Sequence, residues 1–202
     1  MLDFSNSKIL IVGDVMLDKY YFGKVDRISP VPIVNIQKEE SRLGGASNVA
    51  NNIVSLGGHS LLCGVIGHDL FGKEIERISR HKNIDTFLLK TSSPTITKAR
   101  IIGGKQQIVR VDYEDKSELN ADNKKLFRDT ISRILPEYDI LVISDYGKGL
   151  ISEDLCRYLI KLAHKYDKKV IIDPKGKNWE KYSGADIVTP NVKELSDIVG
   201  YT

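Results

Sequence analysis

Short apolar runs alternate with amphipathic segments along most of the 202-residue chain. Lys8–Val12 is the first such run, β-rich and ending in Gly13-Asp14, as a buried strand of a parallel sheet does. Leu61–Gly67, Ile84–Leu89, Asp139–Ile143, Lys169–Ile172 and Ala185–Val188 repeat the pattern and predict further strands. Between them the apolar period lengthens to that of a helix. Leu70–His81 places Phe71, Ile75 and Ile78 on one face, and Asp122–Leu135, with an Asp cap, points Leu126, Ile131 and Ile134 inward. Ser152–Tyr166, capped by Ser152, turns Leu155, Leu159 and Leu162 inward, and Val192–Val199 carries Glu194 in its first turn. Such alternation implies an α/β fold, a parallel sheet with helices on its faces.

Two stretches fall outside that alternation. Tyr20–Gly23 and Ile33–Gln37 read as strands whose connection carries Pro30 and Pro32, which keep it out of a central strand. Thr95–Gly103 and Gln106–Tyr113 predict a hairpin about Gly103-Gly104-Lys105. One hairpin face is apolar (Ile96, Ala99, Ile101, Ile108, Val109 and Val111, in mixed order). The other carries Lys98, Arg100, Gln107, Arg110 and Asp112. Together, residues of about 19–40 and 94–114 are expected to form a small β-sheet lid. A solvated hairpin charged for solubility is the plainer alternative.

The segment from Arg42 to Gly58 predicts an extended stretch turning into a helix at Gly44-Gly45. Glycine permits positive φ and close approach of a ligand. Ser47 and Asn48 are cap-type residues, Val49, Ile53 and Leu56 recur on one face, and Gly57-Gly58 closes the helix. The free N–H groups of such a start suit polar or anionic groups, although tight packing alone would also explain two glycines. Asp14 and Asp18 follow the first strand at the edge where open α/β sheets bind ligands. They read as ligand-facing carboxylates or as turn and cap formers.

Composition narrows the partners. Hydrophobic residues make up 41% and charged residues 28%, with a net charge of +3 that is too slight and too evenly spread to indicate nucleic acid. Cys63 and Cys156 read as buried thiols in a reducing compartment. The N-terminus shows no signal-peptide pattern and no apolar run suffices to span a bilayer, so the expectation is a cytoplasmic protein without a membrane partner.

Taken together, several motifs resemble those of the ribokinase-like (PfkB) sugar kinases, and within them the heptose 7-phosphate kinase branch. They are Gly13-Asp14-Val15-Met16-Leu17-Asp18, Arg27-Ile28-Ser29-Pro30, Gly44-Gly45-Ala46-Ser47-Asn48, Gln106-Gln107 with Arg110-Val111-Asp112, Ser144-Asp145-Tyr146-Gly147-Lys148-Gly149, Asp173-Pro174-Lys175-Gly176, and Thr189-Pro190-Asn191 with Glu194. The resemblance implies ATP-dependent phosphorylation of D-glycero-β-D-manno-heptose 7-phosphate at the anomeric hydroxyl, a step toward ADP-heptose for lipopolysaccharide core. It also implies roles. Asp18, Gly44, Gly45 and Asn48, with Asp14 a weaker candidate, would hold sugar hydroxyls. Lys98, Arg100, Gln107, Arg110 and Asp112 would cover the sugar and its phosphate, with Lys148 neutralising the phosphate beside Asp145. Lys175, Asn191 and Glu194 would lie on the ATP and Mg²⁺ side, Glu194 acting through metal-bound water. A homodimer through the lid is a further implied expectation.

The family's Gly-Ala-Gly-Asp segment, which carries its catalytic base, does not occur among these residues. The resemblance puts that base beyond Thr202, so no catalytic residue is expected within residues 1–202, the N-terminal part of such a kinase domain. The chain alone is therefore expected to be inactive as a kinase and to leave an apolar sheet edge and helix face open. A non-catalytic sugar-phosphate-binding module and another sugar kinase of the same superfamily remain alternatives.

Overall fold

The computed structural model describes residues 3–115 and 117–200. The main layer is a parallel six-stranded sheet, ordered β10-β9-β8-β1-β4-β5. Those strands are β1 (Lys8–Gly13), β4 (His59–Gly67), β5 (Asp85–Thr91), β8 (Ile140–Ser144), β9 (Lys169–Asp173) and β10 (Ile187–Val188). The inner strands β1, β4, β8 and β9 read as near-continuous apolar runs because both their faces are covered, whereas the edge strands β5 and β10 bury no residue fully. On one face α1 (Ala46–Ser55) and α2 (Leu70–His81) bury Ala46, Ala50, Ile75 and Ile78 against Ile11, Leu62 and Ile66. On the other α3 (Ala121–Ile134) and α4 (Glu153–Lys165) bury Phe127, Ile131, Leu155 and Leu159 against Leu10, Val12, Leu141 and Ile143. The last helix, α5 (Val192–Val199), buries no residue and leaves Val192, Leu195 and Val199 exposed beside edge strand β10.

A second sheet, ordered β3-β2-β6-β7, stands on this layer. Its strands are β2 (Val15–Arg27), β3 (Ile33–Gly45), β6 (Thr97–Gly103) and β7 (Gln106–Tyr113). The expected hairpin and its turn are present, with β6 starting at Thr97 rather than Thr95. β2 and β3 are 13 residues each, far longer than Tyr20–Gly23 and Ile33–Gln37. Their charged and aromatic side chains hide the strand from an apolar count, whereas cross-strand pairing from Val15↔Gly45 to Arg27↔Ile33 holds it. β2 thus starts one residue after β1 and carries the chain directly from one sheet into the other.

Three helix details differ from expectation. Asn120, not Asp122, caps α3, accepting from the Asn123 N–H at 2.8 Å. Phe127 rather than Leu126 faces the core, Leu126 being 47% exposed. Leu56 lies beyond the end of α1 and is exposed, while Val49 and Ile53 do pack on the core. Both cysteines are buried and unbridged, and burial pushes the Cys156 thiol up to about 12. No described helix is long and apolar enough to cross a membrane.

Candidate functional site

The turn from β3 into α1 builds one wall of a cleft. Gly45 is the N-cap of α1 at φ 55°, a conformation that favours glycine. No side chain caps this helix. The Ser47 hydroxyl instead donates to the Gly44 carbonyl oxygen at 2.6 Å, with the Met16 carbonyl oxygen 3.1 Å away. Ser47 therefore ties the turn to β2, correcting its expected role as a cap. A Cβ on Gly44 would run into the Asp18 carboxylate, so the bare backbone is what lets Asp18 approach the turn.

Alternation along β2 sends Met16, Asp18 and Tyr20 to one face. Register sets Arg42 and Glu40 of β3, and Lys98 and Arg100 of β6, on the same face opposite Asp18 and Tyr20. The result is a cleft of about 630 Å³ whose lining includes Asp18, Gly44, Gly45, Asn48, Lys98 and Arg100. Arg100 Nη1 donates to Asp18 Oδ1 at 2.6 Å. Burial disfavours the Arg100 charge, but Asp18 outweighs it and holds the guanidinium pKa above its ordinary value.

The cleft also takes in Tyr20, Arg42, Asn51, Lys82 and Tyr146, which the sequence reading did not single out. Strand alternation would have found Arg42 had β3 been followed to Gly45. Lys82 enters from the far end of α2, a proximity no local spacing encodes. Tyr146 is half-buried. Burial raises its phenol, and the Asp173 charge adds to that effect, with Lys175 acting the other way. One ring therefore borders the cleft and also feels the next strand-end cluster.

Other expected site residues lie elsewhere. The Asp14 carboxylate is 2% exposed and accepts the backbone N–H groups of Tyr146 (2.8 Å) and Lys148 (3.1 Å). Burial raises its pKa even against these bonds, and its role here is to hold the loop after β8. Asp145 is also buried, accepting from Gly147 N at 2.7 Å, Tyr182 Oη at 2.7 Å and the Lys181 ammonium. Tyr182 in turn accepts the Lys175 N–H at 2.8 Å and ties the loops after β8 and β9 together. Lys148 pairs with Glu114 and lines a separate cavity of about 350 Å³ near α3. On outer strand β7, Arg110 and Asp112 face Arg100 and Lys98, with Arg110 Nε donating to Asp112 Oδ1 at 2.9 Å. Gln107 is exposed and pairs with Ile102 across a bulge. None of these three lines the cleft.

Lys175, Asn191 and Glu194 come together at the tips of β9 and β10. Lys175 Nζ donates to Glu194 Oε1 at 2.8 Å. Glu194 Oε2 accepts the Asn191 N–H at 3.1 Å, and Asn191 Oδ1 accepts the Glu194 N–H at 2.9 Å, closing the capping box of α5. Burial pushes the Glu194 carboxyl up, but Lys175 and Asn191 outweigh it and hold it below the usual range. Asp173 is raised, first by burial and then by the Glu194 charge. No group of three or more potential metal ligands occurs among the described residues.

The pfkB family carbohydrate kinase profile matches residues 6–202. The bifunctional protein HldE of Helicobacter pylori (strain P12) is 46% identical over 193 residues, covering 93% of this chain and 42% of HldE. The D-beta-D-heptose 7-phosphate kinase of Bordetella bronchiseptica is 43% identical over 200 residues, 97% of this chain and 63% of that kinase. The chain thus spans less than two thirds of either relative. Among solved structures, the tetrameric inhibited form of phosphofructokinase-2 from Escherichia coli aligns over 96% of this chain and 64% of its own, with TM-score 0.74 at 20% identity. Ribokinase from Giardia lamblia aligns over 96% and 65%, with TM-score 0.71 at 20% identity. These last two likenesses speak to the fold.

Proposed function

This chain belongs to the PfkB family of carbohydrate kinases, and from that membership we propose that it serves ATP-dependent phosphorylation of D-glycero-β-D-manno-heptose 7-phosphate at the anomeric hydroxyl. The product would be the 1,7-bisphosphate, on the way to ADP-heptose. The relatives named HldE and D-beta-D-heptose 7-phosphate kinase support this substrate. The observation that carries the reading is the Asp18 carboxylate set against the bare Gly44–Gly45 turn in a cleft rich in cations.

In this reading Asp18, Gly44, Gly45 and Asn48 hold sugar hydroxyls. A carboxylate accepts two such bonds, and charge-assisted bonds are the stronger kind. No described residue is assigned as the base that takes the hydroxyl proton. Lys175, Asn191, Glu194 and the neighbouring Asp173 form the side that would hold ATP and Mg²⁺. Both Glu194 oxygens already accept from protein donors, which suits a carboxylate that acts on Mg²⁺ through water. The mutual repulsion of Asp173 and Glu194 is what a divalent cation would relieve. Bound Mg²⁺-ATP supplies the phosphoryl group. The chain's own contribution is to fix the sugar, neutralise charge and keep water out under the second sheet, the terms on which phosphoryl transfer depends. Tyr146, bordering the cleft and sensing Asp173 and Glu194, marks where the two halves meet.

The reading includes a homodimer through the second sheet, whose outer strand leaves Val109, Val111 and Tyr113 exposed. Calorimetric titration with heptose 7-phosphate tests the assignment. The chain binds the sugar, and Asp18→Asn weakens binding by about 10- to 100-fold, the worth of a charged hydrogen bond. Unchanged affinity in Asp18→Asn refutes the site. Sugar binding without nucleotide binding favours a non-catalytic sugar-phosphate module.

A further inference from the structure

Four cations, Arg42, Lys82, Lys98 and Arg100, line the cleft against a single carboxylate, Asp18. A neutral sugar gives no reason for that excess. Two of the four share an aromatic support: the Arg42 guanidinium lies 4.9 Å and the Arg100 guanidinium 5.2 Å from the Tyr20 ring centroid. Contact with a ring face orients a guanidinium without consuming its N–H donors. Each arginine also has a carboxylate partner at one end. Arg42 Nη2 donates to Glu40 Oε2 at 2.8 Å, and Arg100 Nη1 donates to Asp18 Oδ1 at 2.6 Å. Among the described residues those bonds, with one from Arg100 Nη1 to the Lys98 carbonyl, leave most of each five-donor fork unused.

We propose that Arg42 and Arg100, both packed on the Tyr20 ring and both lining the cleft, seat a phosphate monoester dianion, and that this pair selects the phosphorylated sugar over the free one. The inference rests on the sugar-phosphate reading above and adds residues to it. Lys148, the cation that sequence suggested for this task, lies on the other cavity with its ammonium on Glu114. Arg110 stands on the outer strand with its guanidinium on Asp112. Arg42, by contrast, lines the cleft and is exposed at its mouth, and Arg100 lies deeper, beside the carboxylate assigned to the hydroxyls. Arginine suits the task because its planar fork matches two phosphate oxygens at once, whereas lysine offers a point charge.

The test compares heptose 7-phosphate, the same heptose without its phosphate, and fructose 6-phosphate as an independent phosphate monoester, each titrated into wild type and variants. Arg42→Gln is expected to weaken heptose 7-phosphate binding about tenfold or more, leaving the unphosphorylated sugar unaffected. Tyr20→Leu keeps both arginines and is expected to lose part of the same preference. Lys105→Gln, in the β6–β7 turn, serves as the control and changes neither. Arg42 is exposed, and matching melting curves exclude misfolding. Equal losses for both sugar forms, no loss in Arg42→Gln, a phosphate-selective loss in Lys148→Gln instead, or no detectable binding of any phosphate monoester would each overturn the proposal. Binding of fructose 6-phosphate but not heptose 7-phosphate, with the loss in Arg42→Gln intact, keeps the arginine seat and removes the heptose assignment.

Discussion

Single carboxylates in this chain do very different work according to what surrounds them. Asp18 faces the cleft and pairs with Arg100, whereas Asp14, four residues earlier, is buried as a receptor for two loop N–H groups. Asp186, at the opposite end of the sheet, accepts from Lys169 Nζ at 2.7 Å and the Val170 N–H at 2.9 Å, with His164 Nε2 at 3.3 Å. Lys169 first, then Val170, lower its pKa from 3.8 to about 2. A carboxyl depressed on folding stabilises the native state above its unfolded pKa, and that contribution is lost as pH falls toward the folded value. Wild type is therefore expected to lose stability more steeply than Asp186→Asn between about pH 4 and pH 2, as read by thermal melts. Asp18 and the two glycines were legible in the sequence because each lies in a short motif after a strand, Gly13 to Asp18 and Gly44 to Asn48, that local spacing alone marks. Arg42 and Lys82 were not, since only strand register and the end of α2 bring them to the cleft.

For the helices, a one-residue error in phase is enough to misplace a core residue. Leu126 and Phe127 are adjacent, and the apolar period of α3 tolerates either as its inward member. The contact of Phe127 with Phe87, centroids 5.7 Å apart, and with the sheet decides between them. Phe127→Ala is expected to cost about 3–5 kcal/mol and Leu126→Ala well under half of that, in chemical denaturation. Helix α2 was legible to the residue because Asp69 caps it, accepting the Gly72 N–H at 2.8 Å, and its apolar face is unambiguous. The long strands of the second sheet were not. Their polar residues face a cleft, so apolar counting stops short where functional residues begin.

At the scale of the whole molecule, the parallel layer follows from the alternation of elements and the second sheet from the stretches outside it, while their junction follows from neither. It depends on β2 leaving β1 after a single residue and pairing at once with β3 and β6. On the outer strand, Val109 and Val111 oppose Ile101 and Ala99 and are 43% and 39% exposed. If two copies meet through this sheet, Val111→Lys shifts sedimentation from dimer to monomer without lowering the melting temperature. A wild-type chain that sediments as a monomer at all concentrations removes the dimer from the proposal.

Asp18 and Tyr20 are two positions apart on one strand, so the carboxylate proposed to hold hydroxyls and the aromatic support for the arginines ride on a common rod, about 6.6 Å from one another. The extended backbone between them fixes that spacing. On the proposed assignment the cleft would act as a caliper, gauging how far a ligand's anionic end lies from its hydroxyls.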